Sequence, residues 1–186
     1  MLGYAFCASF CTMGESLRSL VKLLEMGYEI QPIMSERAFS TDTRFHGARE
    51  FAEKLSELCG REVIRTVRDA EPLGPKVPLD ALIIAPCTGN TLAKIALGIT
   101  DSAVTMAAKA HRRQDRPMII ALATNDAMSQ NLGNIGEVMG RRSVYFVPMR
   151  QDDTVLKPHS LVADMSRIPE ALLAAMEGRQ LRPLFL

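Results

Sequence analysis

Runs of consecutive apolar residues alternate along this chain with stretches of helical periodicity, and that alternation limits what it can fold into. The clearest run is Ala-Leu-Ile-Ile-Ala at 81–85. It carries no polar residue at alternate positions, so a strand built from it is buried on both faces. Runs at 3–9, 28–34, 117–123 and 143–148 read the same way, as does a shorter one at 62–67. Between them, Leu17, Leu20, Val21 and Leu24 recur at i, i+3, i+4 and i+7, which predicts a helix near 14–26 with those residues inward. Ala48, Phe51, Ala52 and Leu55 predict another over 48–59, with Gly60 at its C-cap. Further helices are expected near 91–98, 102–112, 131–140 and 167–177. Pro32 lacks an N–H for a ladder, so its strand belongs near a sheet edge.

Continuous apolar strands with helices between them give a mostly parallel sheet covered on both faces, a three-layer α/β arrangement. At 186 residues the chain suits a single domain spanning 1–186. Within it, 149–164 is expected to be an irregular loop and 165–186 a C-terminal helix and tail. The loop at 68–80, with three prolines, is expected to run over the surface.

Composition removes several classes of function. The formal net charge is +1, which leaves no electrostatic footprint for nucleic acid or an anionic membrane. No apolar stretch reaches the roughly 18 residues of a membrane span. The N-terminus lacks a basic region and reads as strand and loop, not as an export signal. Cys7, Cys11, Cys59 and Cys87 show no C-x-x-C spacing, and three histidines do not complete a zinc set, so no metal site is expected. Free thiols without an export signal point to the cytoplasm.

Parallel sheets bind ligands at the carboxyl ends of their strands. Four polar clusters fall there: 9–16 after the first strand, 35–43 after the second, Pro86-Cys87-Thr88-Gly89-Asn90-Thr91 after the 81–85 strand, and 124–131 after the 117–123 strand. The connections at the opposite edge are plainer. In the first cluster, Ser9 and Thr12 can supply hydroxyls to a phosphate at a helix N-terminus; equally, Thr12 can be a plain N-cap with Glu15 completing a capping box. In the third cluster, Thr88 or Asn90 can cap the next helix, but capping explains one residue and not six. Cys87 reads as a small buried residue before it reads as a nucleophile, with no basic neighbour to activate it. Asn125 and Asp126 are the candidates for polar chemistry, with an Asx turn as the structural alternative. His46 lies between a polar loop and a helix start. No G-x-G-x-x-G or Walker lysine is present.

Taken together, the stretches "CASFCT", "MSERA", "APCTGNTLAKIALGITDS", "AAKA" and "TNDAM" resemble the flavoprotein family of FMN-binding decarboxylases and their relatives. The element P-x-(S/T)-x-N-T-x-A-K-x-A-x-G-x-x-D matches at 86–101. Segments across nearly the whole chain, from 40–45 to 145–163, resemble more narrowly one branch of the family, the B half of a two-subunit enzyme. That resemblance implies a Rossmann- or flavodoxin-like domain and an A subunit that is a nicotinamide-dependent dehydrogenase-like protein bringing NADP. It also implies a small dicarboxylate substrate and the mother-cell cytoplasm of a sporulating bacterium. On the family's pattern, Ser9, Thr12 and their neighbours hold the flavin phosphate and Ser35 lies beside the flavin. Pro86, Cys87, Thr88, Gly89 and Asn90 line the ring and ribityl chain, and Ser102 closes the site. The short loop 9–13 suits the single phosphate of FMN rather than FAD or NAD. A homo-oligomer is expected, with 149–164 near a subunit contact or over the pocket. Ala8 stands where the family usually has Gly, "ATNDAM" replaces the decarboxylases' P-A-M-N, and their histidine base has no clear counterpart. Two other readings stand beside this one: an FMN-dependent decarboxylase, and a non-catalytic scaffold on a flavin fold.

Overall fold

A computed structural model describes all residues 1–186. The apolar runs become the strands of one sheet. In chain order the elements are β1 (Leu2–Phe6), α1 (Phe10–Glu25), β2 (Ile30–Met34), α2 (Glu36–Ser40), α3 (Ala48–Cys59), α4 (Val67–Ala70), β3 (Ala81–Cys87), α5 (Gly89–Leu97), α6 (Ala103–Arg112), β4 (Met118–Thr124), α7 (Leu132–Met139), β5 (Val144–Phe146), β6 (Met149–Arg150), β7 (Leu161–Ala163) and α8 (Ile168–Met176).

Strands β2, β1, β3, β4 and β5 lie side by side in that order and are parallel. The last two residues of β4 pair instead with β7, antiparallel, and β6 lies outside β7. The 2-1-3-4-5 order is that of a doubly wound flavodoxin-like sheet. The chain leaves β1 in one direction and returns to β3 in the other, so a crevice opens at the carboxyl ends of those two strands. Strands β1 and β3 are buried along their whole length, as continuous apolar runs require. Pro32 does lie in the edge strand, β2.

Helix α1 begins at Phe10, earlier than its apolar periodicity suggests, and it turns a different face inward. Thr12, Met13, Ser16, Ser19, Leu20 and Leu23 are buried, while Leu17, Val21 and Leu24 are only partly covered. Three hydroxyls are tolerated on that face because each has a partner. The Ser16 hydroxyl donates to the Ala85 carbonyl at 2.6 Å, inside the register shift between Ile84 and Cys87, and the Tyr4 hydroxyl donates to the Ser16 carbonyl at 2.9 Å. The Ser19 hydroxyl donates to the Met165 carbonyl at 2.5 Å. Each such buried bond contributes about 1 kcal/mol. Together they tie α1 to β1, to β3 and to the turn before α8.

Three expectations fail locally. Residues 62–67 form no strand: Ile64 makes a single bridge to Ile33, and the Thr66 side chain then accepts from Asp69 N to start α4. The 68–80 loop is not wholly superficial, since Leu73 and Leu79 are buried. Segment 149–164 is not simply irregular, because its two ends are β6 and β7, paired as a hairpin that extends the sheet.

Candidate functional site

The residues after β1, β3 and β4 converge on a cavity of about 590 Å³, and those after β1, β2 and β3 on a second of about 510 Å³. The two share one wall, made by Ala8, Thr88 and Asn90. Both volumes lie within the roughly 300–1,000 Å³ of small-molecule sites. The first also reaches Arg150, Asp152 and Lys157 of the hairpin. The second reaches Ser35, Glu36 and Arg37 of α2, and the Lys94–Asp101 ion pair with Ser102.

The first cluster opens α1, and Ser9 is its N-cap residue without a capping side-chain bond. Thr12 is therefore not the cap. It lies in the first turn, and its hydroxyl donates to the Ser9 carbonyl at 3.0 Å and the Ser9 hydroxyl at 2.9 Å. The amides of Phe10 and Cys11 have no partner within the chain. They sit at the positive end of a 16-residue helix, in a loop that lines the first cavity.

The third cluster divides into three parts. Pro86 and Cys87 continue β3, are buried, and line neither cavity. The six residues are thus not one surface, because the strand runs on through the first two. The Cys87 thiol is held protonated by its hydrogen bond to Cys7 and by burial, which raise its pKa well above the usual thiol range. Thr88 is the N-cap of α5, accepting from Thr91 N at 3.3 Å. Asn90 is exposed on the shared wall, and its side chain makes no hydrogen bond within the chain. At the far end of α5, the Arg141 guanidinium donates to the Ile95 and Ala96 carbonyls at 2.9 and 2.5 Å, so both ends of the helix are fixed.

Gly89 is buried against the fourth cluster. A β-carbon there would stand 2.5 Å from Asn131 Nδ2, 2.5 Å from Thr124 Oγ1 and 2.9 Å from Asp126 Oδ1. Those three groups form one network. The Thr124 hydroxyl and the Asn131 amide, the latter at 2.9 Å, both donate to Asp126 Oδ1. These bonds, Thr124 first and Asn131 second, hold the Asp126 carboxyl below its usual range. Asp126 therefore lies behind the cavity wall, whereas Asn125 lines the first cavity with no side-chain partner.

Ser35 and Ser102 both reach the second cavity but are engaged. Ser35 caps α2, accepting from Ala38 N at 3.3 Å. Ser102 and Thr105 form a reciprocal capping box on α6. The Ala103 amide of the same turn donates to Glu36 Oε1 at 3.0 Å. Three of the four first-turn amides of α6, those of Ala103, Thr105 and Met106, are thus taken up by Glu36 and Ser102. His46 lines neither cavity; it stacks on Phe51 at 4.6 Å and meets Phe10 edge-on at 6.4 Å. Sequence reasoning missed Glu15, Glu36, Arg37 and the hairpin residues Arg150 and Lys157 as cavity residues. No local signal marks Arg150: residues 146–149 before it are all buried, so no alternation leads into it.

The sheet order, the crevice between β1 and β3, and the polar cradle over it define a flavodoxin-like α/β protein with a cleft at its switch point. A family model described as Flavoprotein matches residues 3–167, and the chain belongs to the flavoprotein family. Within it, the chain is 39% identical over 183 residues to the dipicolinate synthase B subunit of Bacillus subtilis (strain 168), covering 98% of this chain and 92% of that protein. It is likewise similar to the crystal structure of the dipicolinate synthase B subunit from Bacillus halodurans C, with a TM-score of 0.91 and 38% identity over 100% of this chain and 95% of that one. The FMN-dependent cysteine decarboxylase SpaF has a TM-score of 0.63 at 24% identity, over 94% of this chain and 95% of that one, a likeness of fold alone.

Proposed function

We propose that this chain serves as the B subunit of a dipicolinate synthase, working with an A subunit that brings NADP. The pair would oxidise a dihydrodipicolinate precursor by two electrons, closing an aromatic pyridine dicarboxylate. The observation that carries this reading is the 39% identity to a dipicolinate synthase B subunit along 98% of the chain.

The cleft supports a role in holding ligand. Its donors without partners include the first-turn amides of α1, the Gly89 and Asn90 amides that open α5, the side chains of Asn90 and Asn125, and the guanidinium groups of Arg37 and Arg150. The α1 amides, Asn90 and Arg37 fit FMN, with Ser9, Thr12, Thr88 and Asn90 against it in the first cavity and Ser35, Arg37 and Ser102 in the second, while Asn125 and Arg150 stand apart from that set. A bound flavin would supply a two-electron acceptor of its own. Pro86 and Cys87 support the cleft from beneath. Of the 125–126 pair, Asn125 is the residue that meets the substrate, and Asp126 positions it by anchoring its loop to Thr124 and Asn131. We read the assembly as a homo-oligomer.

The test mixes the purified chain with its A subunit, the dihydro precursor and NADP, and follows the ultraviolet absorbance of dipicolinate. Product should form at a rate that neither component reaches alone. Turnover by this chain alone as fast as by the mixture would overturn the two-component reading.

A further inference from the structure

Of the five charged side chains around the first cavity, four are engaged by another group and one is not. Lys157 pairs with Asp152. Asp164 accepts from Ser166 N and Oγ at 3.1 and 2.6 Å. Glu15 lies 3.9 Å from Arg18. The Arg150 guanidinium lines the same cavity and makes neither an ion pair nor a side-chain hydrogen bond within the chain. Five N–H donors and a full positive charge face a space bordered by the free amide of Asn125.

The backbone fixes where that charge stands. Met149 and Arg150 are the two residues of β6, paired antiparallel with Ala163 and Val162. On its other side, Met149 N donates to the Leu184 carbonyl at 2.8 Å, and Leu186 N donates to the Met149 carbonyl at 3.0 Å. Met149 is buried, and strand alternation turns its neighbour Arg150 the other way, into the cavity. An arginine held on a doubly paired strand loses less freedom on binding than one on a loop. A planar guanidinium fork matches a carboxylate with two parallel hydrogen bonds.

We infer that Arg150 is the specificity-determining anchor for one carboxylate of a planar dicarboxylate in this cavity, with Asn125 beside it. The inference rests on the synthase reading for the choice of dicarboxylate. It assigns the hairpin a direct part in substrate recognition.

The test is calorimetric titration of the full chain, alone and with its A subunit, using pyridine-2,6-dicarboxylate, pyridine-2-carboxylate and FMN as probes. Arg150→Gln should weaken the diacid about 10- to 100-fold, the range of a charge-assisted pair. Arg150→Lys should recover part of that loss, and FMN affinity should stay within about threefold. Melting temperatures of both variants should match the parent, since the side chain holds nothing in the fold. Unchanged diacid affinity in Arg150→Gln overturns the anchor and leaves the synthase reading standing. Equal losses for FMN and the diacid also overturn it, because Arg150 would then serve the flavin phosphate. Failure of the parent to bind the diacid, with or without the A subunit, overturns the anchor and the synthase reading together.

Discussion

Asp126 Oδ1 lies 2.9 Å from where a β-carbon on Gly89 would stand, so the first turn of α5 and the loop after β4 are in contact through a missing side chain. Thr124 and Asn131 crowd the same point at 2.5 Å each. Gly89→Ala should therefore push the network away from the helix. We expect a loss of about 1–3 kcal/mol of stability, the usual cost of overpacking, together with weaker ligand binding. Thermal melts and a flavin titration check it; an unchanged melting temperature would show that the network yields freely.

Asn90 and Thr88 separate binding from stability. Thr88 caps α5, whereas Asn90 makes no side-chain bond. Thr88→Ala should cost about 1 kcal/mol. Asn90→Leu should keep the parent's melting temperature and lose ligand affinity. A destabilised Asn90→Leu with normal affinity would contradict this.

The Asp126 carboxyl has a folded-state pKa below its unfolded value, so its contribution to stability is present above roughly pH 4 and is lost as pH falls through the folded pKa. The stability gap between the parent and Asp126→Asn should be level at neutral pH and close below that point. Joint synthase activity of Asp126→Asn should fall while the two proteins still associate. A gap that persists undiminished at about pH 2–3 would count against the network.

His111 is buried, its Nε2 is 2.9 Å from the Pro117 carbonyl, and burial lowers its pKa. The unfolded chain then binds the extra proton more readily. Stability is complete above roughly pH 6.5 and declines as pH falls toward the folded value. His111→Gln should flatten that part of the pH–stability curve, measured by denaturant midpoints between about pH 7 and 5.

Val155 and Leu156 are 82% and 81% exposed at the tip of the β6–β7 hairpin, where Asp153 Oδ1 accepts both their amides and holds the turn. We expect this tip at a subunit contact. Light scattering at micromolar concentration should give an oligomer, and Leu156→Asp should reduce the mass without lowering the melting temperature. A monomeric parent would refute it.

Much of this fold was legible because its strands are buried on both faces and cannot be mistaken for alternating ones. Residues 81–85 and 117–123 announce β3 and β4 directly. Helix α1 was harder. Hydropathy favours Leu17 and Val21, but Ser16 and Ser19 take the inward positions because Ala85 and Met165 offer them carbonyls, partners remote in sequence. The same blindness to distant partners hid the division of the 86–91 cluster. Pro86 and Cys87 look like loop residues until β4 is seen to pair alongside them. Asn90 and Asn125 could be found early because they follow apolar runs. Arg150 could not, since nothing local marks an arginine whose only distinction is that it lacks a partner.

The strand that carries Arg150 is closed on its outer side by Leu184 and Leu186. If a ligand grips Arg150, order in that remote segment and occupancy of the cleft become one linked equilibrium. A ligand that grips Arg150 should then slow amide exchange at Leu186, far along the chain from any residue it touches. Segment 184–186 thus becomes a built-in reporter of binding, readable by hydrogen exchange with no label placed near the site.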